Sequence, residues 1–365
     1  MSTNPRIYLD FNATAPLVPA AREAMAAAMG VVGNPSSVHA EGRAARDLVE
    51  QARNRVATLS GRPREQVVFT SGGTEANGLG VAQLAAEAER RGLPRVIASA
   101  GTDHPSLHGA VAALVARGWV HRALGADLTG VGVIAMTAVN HELGTVADLP
   151  VHRGGALLHV DAVQAAGKLP LERIGADSIA ISAHKLGGPQ GAGAWISSID
   201  PGPGGDQAVD AGHQERGRRA GTENTIGIVG FGAAAAAIEL AAWPGVAALG
   251  ERLEAGLRTI VGARINGAEL PRIGGTINAA FAGVRGESIV MALDLTGISV
   301  SNGAACTSGS VKPSPVLLAI GQTATQAREA VRFSLGRTTT TAEIDAVLKV
   351  LPSLVERAHA HSSGT

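Results

Sequence analysis

One lysine stands where covalent chemistry is feasible. The 365-residue chain contains four lysines, and Lys185 directly follows the apolar residues 177–182, in the sequence Ser-Ala-His-Lys-Leu-Gly-Gly-Pro. A partly desolvated lysine amine can form an imine with an aldehyde, whereas the guanidinium of arginine is always protonated and cannot. Lys185 therefore predicts a covalent anchor for a carbonyl cofactor, although a lysine taken alone is more often an ordinary surface residue.

An aspartate follows the preceding predicted strand, as Lys185 follows the next one. Asp161 follows the apolar residues 156–160. Such a carboxylate can keep the pyridine nitrogen of pyridoxal 5'-phosphate (PLP) protonated, which makes the cofactor ring an electron sink. Aspartate is also favoured as the cap of a helix N-terminus, and the two roles are compatible. Together, Asp161 and Lys185 predict a PLP site.

A glycine-containing turn offers a place for the phosphate group. Residues 70–74, Thr-Ser-Gly-Gly-Thr, connect a predicted strand (66–70) to a predicted helix (74–91). Backbone N–H groups, small side chains and the helix dipole at such a turn attract anions. Gly73 and Thr74 are therefore candidate phosphate-binding residues, although many strand–helix turns have a similar composition.

Three further polar residues follow predicted strands. His104 comes after residues 95–99, Asn140 comes after residues 132–139, and Gln164 lies shortly after the carboxylate described above. An imidazole can stack on the cofactor ring and move protons, and the two amides can hydrogen-bond the phenolic oxygen of the cofactor. Each of the three, taken singly, also fits an ordinary turn.

Two residues in the last third of the chain complete the candidates. Cys306 lies in the small, polar segment 301–310, which predicts an exposed loop and a reactive thiol, whereas a lone cysteine elsewhere is usually a small buried hydrophobe. Arg332 interrupts an apolar strand in Val-Arg-Phe-Ser-Leu-Gly-Arg, so its guanidinium needs an anionic partner. A substrate carboxylate bound by two hydrogen bonds and an internal salt bridge both meet that need.

The predicted elements place most of these residues at one edge of a sheet. Apolar segments alternate with helical patterns through the first two thirds of the chain, which indicates right-handed crossovers and a mainly parallel α/β sheet. Ligands of such sheets bind beyond the carboxyl ends of the strands. We predict a PLP-binding large domain of residues 14–244 and a smaller α+β domain of residues 1–13 and 245–365, which carries the cysteine loop.

Composition limits the partners that we expect. Lys+Arg and Asp+Glu are both 31, so the formal net charge of zero supplies no field for nucleic acid or an anionic membrane, and aromatics for base stacking are scarce. One cysteine excludes an intrachain disulfide and fits a reducing cytoplasm. The first ten residues do not have the pattern of a secretory signal. Residues 226–243 are rich in Ala and Gly and contain Glu239, so we expect a buried helix there and no membrane span.

With these residues in view, the chain resembles the cysteine desulfurases of the class V aminotransferase group, and most of all their nitrogen-fixation type. The resemblance covers nearly the whole chain and rests on motifs in a fixed order. These are Tyr8-Leu-Asp-Phe-Asn-Ala-Thr, Gly33-Asn-Pro-Ser-Ser-Val-His, Phe69-Thr-Ser-Gly-Gly-Thr-Glu, Asn140-His-Glu-Leu-Gly, His159-Val-Asp-Ala-Val-Gln, Ser182-Ala-His-Lys, Gln214-Glu-Arg-Gly-Arg-Arg-Ala-Gly-Thr-Glu-Asn, Ala305-Cys-Thr-Ser-Gly and Arg332-Phe-Ser-Leu-Gly-Arg.

The resemblance implies PLP-dependent transferase fold type I and a role for each residue at the cofactor. Lys185 would be the Schiff-base lysine, Asp161 the partner of the pyridine nitrogen, and His104 the residue that stacks on the ring and carries protons. Asn140 and Gln164 would contact the phenolic oxygen. The phosphate would be bound by residues from two subunits of a homodimer, namely Thr74 with Gly73, Ser182 and His184 from one, and Thr222 from the other.

The resemblance also implies an activity. The enzyme would remove sulfur from L-cysteine, release L-alanine and carry the sulfur as a persulfide on Cys306. Arg332, with Asn140, would bind the substrate. The sulfur would pass to an acceptor or scaffold protein for iron–sulfur cluster assembly or other sulfur delivery, in the cytoplasm, and no metal ion is expected at the site.

Three alternatives compete with this function, and the first of them is a pair of closely related activities. Selenocysteine lyase and cysteine sulfinate desulfinase use the same cofactor site and differ mainly in their need for the thiol. A nicotinamide oxidoreductase is a remote alternative, because Gly230-Phe-Gly-Ala-Ala-Ala fits the loose pattern G-x-G-x-x-A only after a short, glycine-interrupted apolar run. A catalytically inactive scaffold is the third, and the presence of Lys185, Asp161, Cys306 and Arg332 argues against it.

Overall fold

The protein was analysed as a computed structural model, which describes residues 6–200, 212–302 and 312–362. The chain divides into two compact units. Unit 1 comprises the described residues of Met1–Thr14, Asn140–Val146 and Ala241–Thr365, and unit 2 comprises those of Ala15–Val139 and Ala147–Leu240. The assignment of PLP to one domain and of the cysteine loop to the other stays a prediction.

Strands and helices are numbered in chain order. The strands are β1 (Ile7–Tyr8), β2 (Val67–Thr70), β3 (Val96–Ser99), β4 (Val120–Ala123), β5 (Val133–Thr137), β6 (Leu157–Asp161), β7 (Ser178–Ser182), β8 (Gly193–Ser197), β9 (Ala263–Ile265), β10 (Thr276–Phe281), β11 (Ile298–Ser299) and β12 (Ala330–Ser334). The helices are α1 (Pro19–Ala28), α2 (Ala40–Ser60), α3 (Gly73–Arg90), α4 (Pro105–Ala116), α5 (Thr225–Ala236), α6 (Trp243–Leu257), α7 (Gly286–Leu295), α8 (Pro315–Ala319), α9 (Ala324–Arg328) and α10 (Thr341–Ser362).

Unit 2 is built on a mixed sheet. In its described part, seven strands lie in the order β2-β8-β7-β6-β5-β3-β4, and the neighbouring pairs from β7 to β4 are all parallel. β8 runs antiparallel to both β2 and β7. Strands β5, β6 and β7 are buried along their whole length, as their continuous apolar sequences require. The mainly parallel α/β sheet that the sequence predicts is therefore confirmed.

Helix α3 lies against strands β5 to β8, and together with α4 it covers one apolar cluster of unit 2. Leu84, Ile97, Leu107 and Val133 are fully buried in this cluster. Glycines permit close packing elsewhere in the unit, because a Cβ on Gly232 of α5 would lie 2.6 Å from the Cα of Ala52 on α2. The contacts of α3 with β5 to β8 hold this helix in place, and the candidate phosphate turn lies at its N-terminus.

One expectation about the Ala- and Gly-rich segment needs correction, and one remote alternative loses its basis. The predicted helix of residues 226–243 is not continuous, because α5 ends at Ala236 and α6 begins at Trp243 with Pro244 in its first turn. Gly230 and Gly232 lie inside α5 and are buried, so they are packing positions rather than a strand-to-helix turn that could bind a dinucleotide. In the described residues, no single helix is long and apolar enough to cross a membrane, and only the broken pair Thr225–Ala236 and Leu240–Leu257 reaches that length and composition together.

Unit 1 has an α+β architecture, as the sequence predicts. In its described part, β12, β10 and β9 form an antiparallel sheet in that order, and β1 pairs with β11 in parallel. Helix α6 contacts β10, α7 contacts β12, and α10 packs against both helices. The buried side chains of Ile277, Phe281 and Phe333 contribute to the core of this unit. The segment Asn140–Val146 belongs to unit 1 because Val146 N–H donates to Pro271 and Ile273 N–H donates to Gly144.

Candidate cofactor and substrate residues

Asp161 and Lys185 follow neighbouring parallel strands of unit 2. Asp161 is the last residue of β6, and Lys185 ends a 3-10 turn, Ala183–Lys185, that comes directly after β7. Because β6 and β7 are parallel, with Asp161 opposite Ala180, both residues lie at the same carboxyl edge of the sheet. The positive charge of Lys185 opposes the increase in pKa that burial causes at Asp161.

The carboxylate of Asp161 is held by two N–H donors. One oxygen accepts from Val163 N at 2.9 Å, and the other accepts from Asn77 Nδ2 at 2.8 Å. Burial raises the pKa of Asp161, while the bond from Val163, the charges of His104 and Lys185 and the bond from Asn77 oppose this increase. The bond from Val163 is a contact within a local turn. Asp161 therefore accepts a backbone N–H two residues later, as a helix N-cap would, although in the described residues no α-helix begins there.

The predicted phosphate turn lies between β2 and α3, and α3 begins at Gly73. A Cβ on Gly73 would lie 2.7 Å from Cγ2 of Val163 and 3.5 Å from the Cβ of Ser182. Only glycine therefore lets the N-terminus of α3 approach the ends of β6 and β7 this closely. Thr74 is exposed in the first turn of this 18-residue helix, where the helix dipole favours an anion.

His104 caps helix α4 of unit 2. Its Nδ1 accepts from Ser106 N at 3.1 Å and lies 2.8 Å from Ser106 Oγ. Burial lowers the pKa of His104, Lys185 lowers it further, and Asp161 opposes these effects. The imidazole is therefore biased toward its neutral form near pH 7.

Four candidates of unit 2 remain, namely Ser182, His184, Gln164 and Thr222. Ser182 is buried at the end of β7, and burial together with the charge of Lys185 lowers the pKa of His184 to about 4. The amide of Gln164 accepts from Lys168 Nζ at 2.8 Å, which directs its NH₂ group to the other side. Thr222 is exposed in the segment 214–224, and its contact with a second subunit stays a prediction.

Arg332 is the central residue of β12 in unit 1 and is 5% exposed. Its Nη2 donates to Asp10 Oδ1 at 2.7 Å, and its Nη1 donates to the carbonyl of His141 at 3.1 Å. Its Nε is buried without a hydrogen-bond partner. The internal salt bridge that the sequence left open is therefore present.

Asn140 lies in the same unit as Arg332 and begins the segment Asn140–Val146. Its Oδ1 accepts from the backbone N–H groups of Glu142 and Leu143, both at 2.9 Å. These two bonds fix the orientation of the amide.

Cys306 lies outside the described residues, but both ends of its segment are described. Before it, Ser301 pairs with Arg332 through backbone hydrogen bonds of 3.1 Å and 2.6 Å. After it, Ser314 Oγ donates to the buried Glu142 at 2.6 Å and caps helix α8. The chain on either side of the cysteine is thus tied to the residues that hold Arg332 and Asn140 in unit 1.

A comparison with known proteins gives the family. The model of the aminotransferase class-V family matches residues 7–120 and 124–347, which is most of the chain. The chain belongs to the aminotransferase class-V family. A cysteine desulfurase of Cereibacter sphaeroides is 40% identical over 98% of this chain and 97% of its own length.

Solved structures of this family have the same fold. A NifS-like protein superposes with a TM-score of 0.84 at 30% identity, covering 96% of this chain and 100% of that one. SspA in complex with cysteine superposes with a TM-score of 0.77 at 25% identity, covering 92% and 100%. The resemblance to cysteine desulfurases and the expected fold type I of PLP-dependent transferases are confirmed.

Sequence reasoning missed several residues that hold the candidates in place. Asn77 and Asp10 directly contact Asp161 and Arg332, yet they are far from them in the sequence. His159 precedes Asp161 by two residues on β6, so the alternation of a strand places both side chains on one face. That spacing was a signal that could have marked His159.

Proposed function

We propose that this protein is a PLP-dependent cysteine desulfurase that converts L-cysteine to L-alanine and carries the sulfur as a persulfide on Cys306. The observation that carries the proposal is the pairing of Asp161 and Lys185 at one edge of the sheet, within a chain of this family. The 40% identity to a protein named cysteine desulfurase, over nearly all of both chains, supports the choice of reaction. The 25% identical neighbour that is in complex with cysteine supports the choice of substrate.

The described residues of unit 2 fit the chemical groups of PLP. Asp161 offers a buried carboxylate for the pyridine nitrogen, and Lys185 offers an amine for the aldehyde. The space beside Gly73, which any Cβ would fill, allows the N–H groups of α3, with Thr74, to bind the phosphate. We assign Ser182, His184 and, from a second subunit, Thr222 to the phosphate, and Asn140 and Gln164 to the phenolic oxygen.

When bound, PLP would supply an electron sink that stabilises negative charge at Cα of the substrate. Arg332 binds the substrate carboxylate, as the resemblance implies, and its guanidinium is held in place by Asp10 and the carbonyl of His141. The Nζ of Lys185 removes the Cα proton. His104 is biased toward its neutral form and carries its proton on Nε2, since Nδ1 accepts from Ser106, so it can donate a proton at Nε2.

Cys306 performs the sulfur transfer. Its thiolate attacks the sulfur of L-cysteine, and a new S–S bond forms as the bond between that sulfur and Cβ breaks. The electron pair stays with the carbon fragment, which takes up one proton at Cβ, regains one at Cα and is released as L-alanine. The Cys306 persulfide then passes its sulfur to an acceptor or scaffold protein, such as one that assembles iron–sulfur clusters. Because this step needs a free thiol, we propose a reducing compartment, the cytoplasm. We also propose a homodimer as the working form, because Thr222 is assigned to the phosphate of a second subunit.

The test is to measure alanine formation from L-cysteine by the purified protein and by a Cys306→Ala variant. We expect a yellow, borohydride-reducible chromophore in both, alanine formation by the native protein and its collapse in the variant. Full alanine formation without the thiol would refute the role of Cys306, and selenocysteine or cysteine sulfinate would then be the substrates to compare. A protein that stays colourless after PLP is added would refute the proposal as a whole.

A further inference from the structure

A continuous set of buried and half-buried side chains connects the two unit 2 candidates Asp161 and His104. Asn77 of α3 donates to Asp161 Oδ2 and to Ser106 Oγ, both at 2.8 Å, and its Oδ1 lies 2.9 Å from Nε2 of His159. On the other side, His159 Nδ1 lies 2.8 Å from Ser178 Oγ, which also accepts from the indole of Trp195 at 2.8 Å. We call Trp195, Ser178, His159, Asn77 and Ser106 the Asn77 network.

The direction of these bonds can be worked out from the His104 end. Nδ1 of His104 accepts the backbone N–H of Ser106, so this nitrogen carries no proton. The Ser106 hydroxyl must therefore donate to Nδ1 and accept in its contact with Asn77. The atom of Asn77 that faces Ser106 and Asp161 is consequently the NH₂ group, and its carbonyl faces His159.

The same direction extends to Trp195. Nε2 of His159 donates to the Asn77 carbonyl, so in the neutral ring Nδ1 is an acceptor and the Ser178 hydroxyl donates to it. The indole nitrogen of Trp195 only donates, and the Ser178 oxygen accepts from it. Burial lowers the pKa of His159 to about 3, so the ring is neutral and carries its one proton on Nε2, toward the Asn77 carbonyl. Every bond of the network thus donates toward Asp161 or toward His104.

The backbone is shaped to hold this network. A Cβ on Gly80 of α3 would lie 2.3 Å from Cε1 and 2.4 Å from Nδ1 of His159, and 2.9 Å from Ser178 Oγ. Glycine at position 80 therefore lets α3 approach β6 and β7 closely enough for Asn77 to reach His159 and Asp161. Asn77, His159 and Ser178 are at most 1% exposed, so water does not replace a lost partner there.

We propose that Asn77 and His159 are positioning residues that hold Asp161 in its ionised, correctly oriented form, and that Asn77 couples Asp161 to the tautomer of His104. The inference rests on the proposed PLP function, for which Asp161 must stay an anion beside the pyridine nitrogen. Both oxygens of Asp161 accept an N–H, and donors to a carboxylate favour its charged form against burial. His159 acts one step away, because its Nε2–H holds the Asn77 amide in the orientation that donates to Asp161.

The first measurement reads the network directly and needs no substitution. Nitrogen-15 NMR of the full-length protein, purified with and without added PLP, reports the tautomer of His159. We expect the Nε2–H tautomer, unchanged between about pH 5 and 9, in both preparations. An Nδ1–H tautomer, or a ring that titrates in this range, would overturn the inference.

The second measurement tests the role of the network with Asn77→Leu, His159→Leu and His159→Gln. Gln83→Leu is the matched control, because Gln83 is also a buried side-chain amide on α3. Losing a donor to a buried carboxylate should lower kcat for L-cysteine by about 10- to 100-fold in Asn77→Leu, with little change in KM. The chromophore should change its pH profile in the same variant and not in the control.

The conservative variant separates positioning from bulk. The side-chain amide of Gln at position 159 can still donate to the Asn77 carbonyl, so His159→Gln should recover part of the kcat that His159→Leu loses. Equal kcat and chromophore profiles in Asn77→Leu and Gln83→Leu would overturn the role of Asn77. If the protein neither holds PLP nor acts on L-cysteine, the proposed function fails, while the tautomer of His159 still decides whether the network exists.

Discussion

Replacing Glu142 with Gln should stabilise the protein at alkaline pH and leave its stability unchanged at acidic pH. Glu142 is 1% exposed in unit 1, and burial raises its pKa from the ordinary 4.5 to about 7, although the bond from Ser314 and the charge of Arg332 oppose this increase. An acid whose pKa is raised on folding favours the folded state when it is protonated. Its stabilising contribution is fully present below pH 4.5 and is lost as the pH rises through 7.

The expected size follows from the two pKa values. The interval between 4.5 and about 7 corresponds to about 3 kcal/mol of unfolding free energy once Glu142 is ionised. Glutamine has nearly the same shape, still accepts from Ser314, and never carries the charge. Glu142→Gln should therefore be more stable than the native protein by about 3 kcal/mol at pH 8, and the difference should approach zero near pH 4.5.

Urea unfolding at a series of pH values measures this difference, with the m-values compared to ensure that the same transition is followed. Glu254→Gln is a control with the opposite sign. Burial alone would raise the pKa of Glu254, but hydrogen bonds from Arg258 and Arg272 outweigh it and lower the pKa, so this variant should lose stability above its pKa. A Glu142→Gln protein that is no more stable than the native one at pH 8, or equally more stable at every pH, would refute the reasoning.

Three further substitutions test individual contacts. Arg332→Lys keeps the charge but loses the planar set of donors, so KM for L-cysteine should rise at least about tenfold while the chromophore persists. An unchanged KM would show that Arg332 does not bind the substrate. Arg53→Met leaves the buried Glu215 without the two bonds of 2.7 and 2.8 Å that it now accepts, which should cost about 3–5 kcal/mol in urea unfolding; a loss below 1 kcal/mol would contradict this. Gly73→Ala should weaken PLP binding measured by equilibrium dialysis, because its Cβ would fill the space beside the phosphate turn, and unchanged affinity would place the phosphate elsewhere.

The ends of the sheet strands were predictable from sequence because local signals coincide there. Apolar runs long enough for buried strands stop at polar residues, and this pattern placed Asp161 at the end of β6 and Lys185 after β7. The small residues before α3 marked the start of that helix in the same way. The antiparallel direction of β8 was not predictable, because a buried apolar strand has the same composition in either direction.

Contacts between residues far apart in sequence could not be predicted. Asp10 and Arg332 are 322 residues apart, and Asn77 and His159 are 82 apart, so no local pattern links them. The grouping of Asn140–Val146 with unit 1 depends on such bonds as well. The G-x-G-x-x-A match at Gly230, which the sequence supported only weakly, has a structural origin, because the glycines and alanines of α5 are buried packing positions.

The most direct test of the central claim is to find which lysine holds the cofactor. The protein should be incubated with PLP, reduced with borohydride, digested, and analysed by mass spectrometry, where each of its four lysines can be followed separately. We expect the pyridoxyl adduct on Lys185 alone, and its disappearance in a Lys185→Arg variant that still folds. An adduct on another lysine, or on none, would contradict the account.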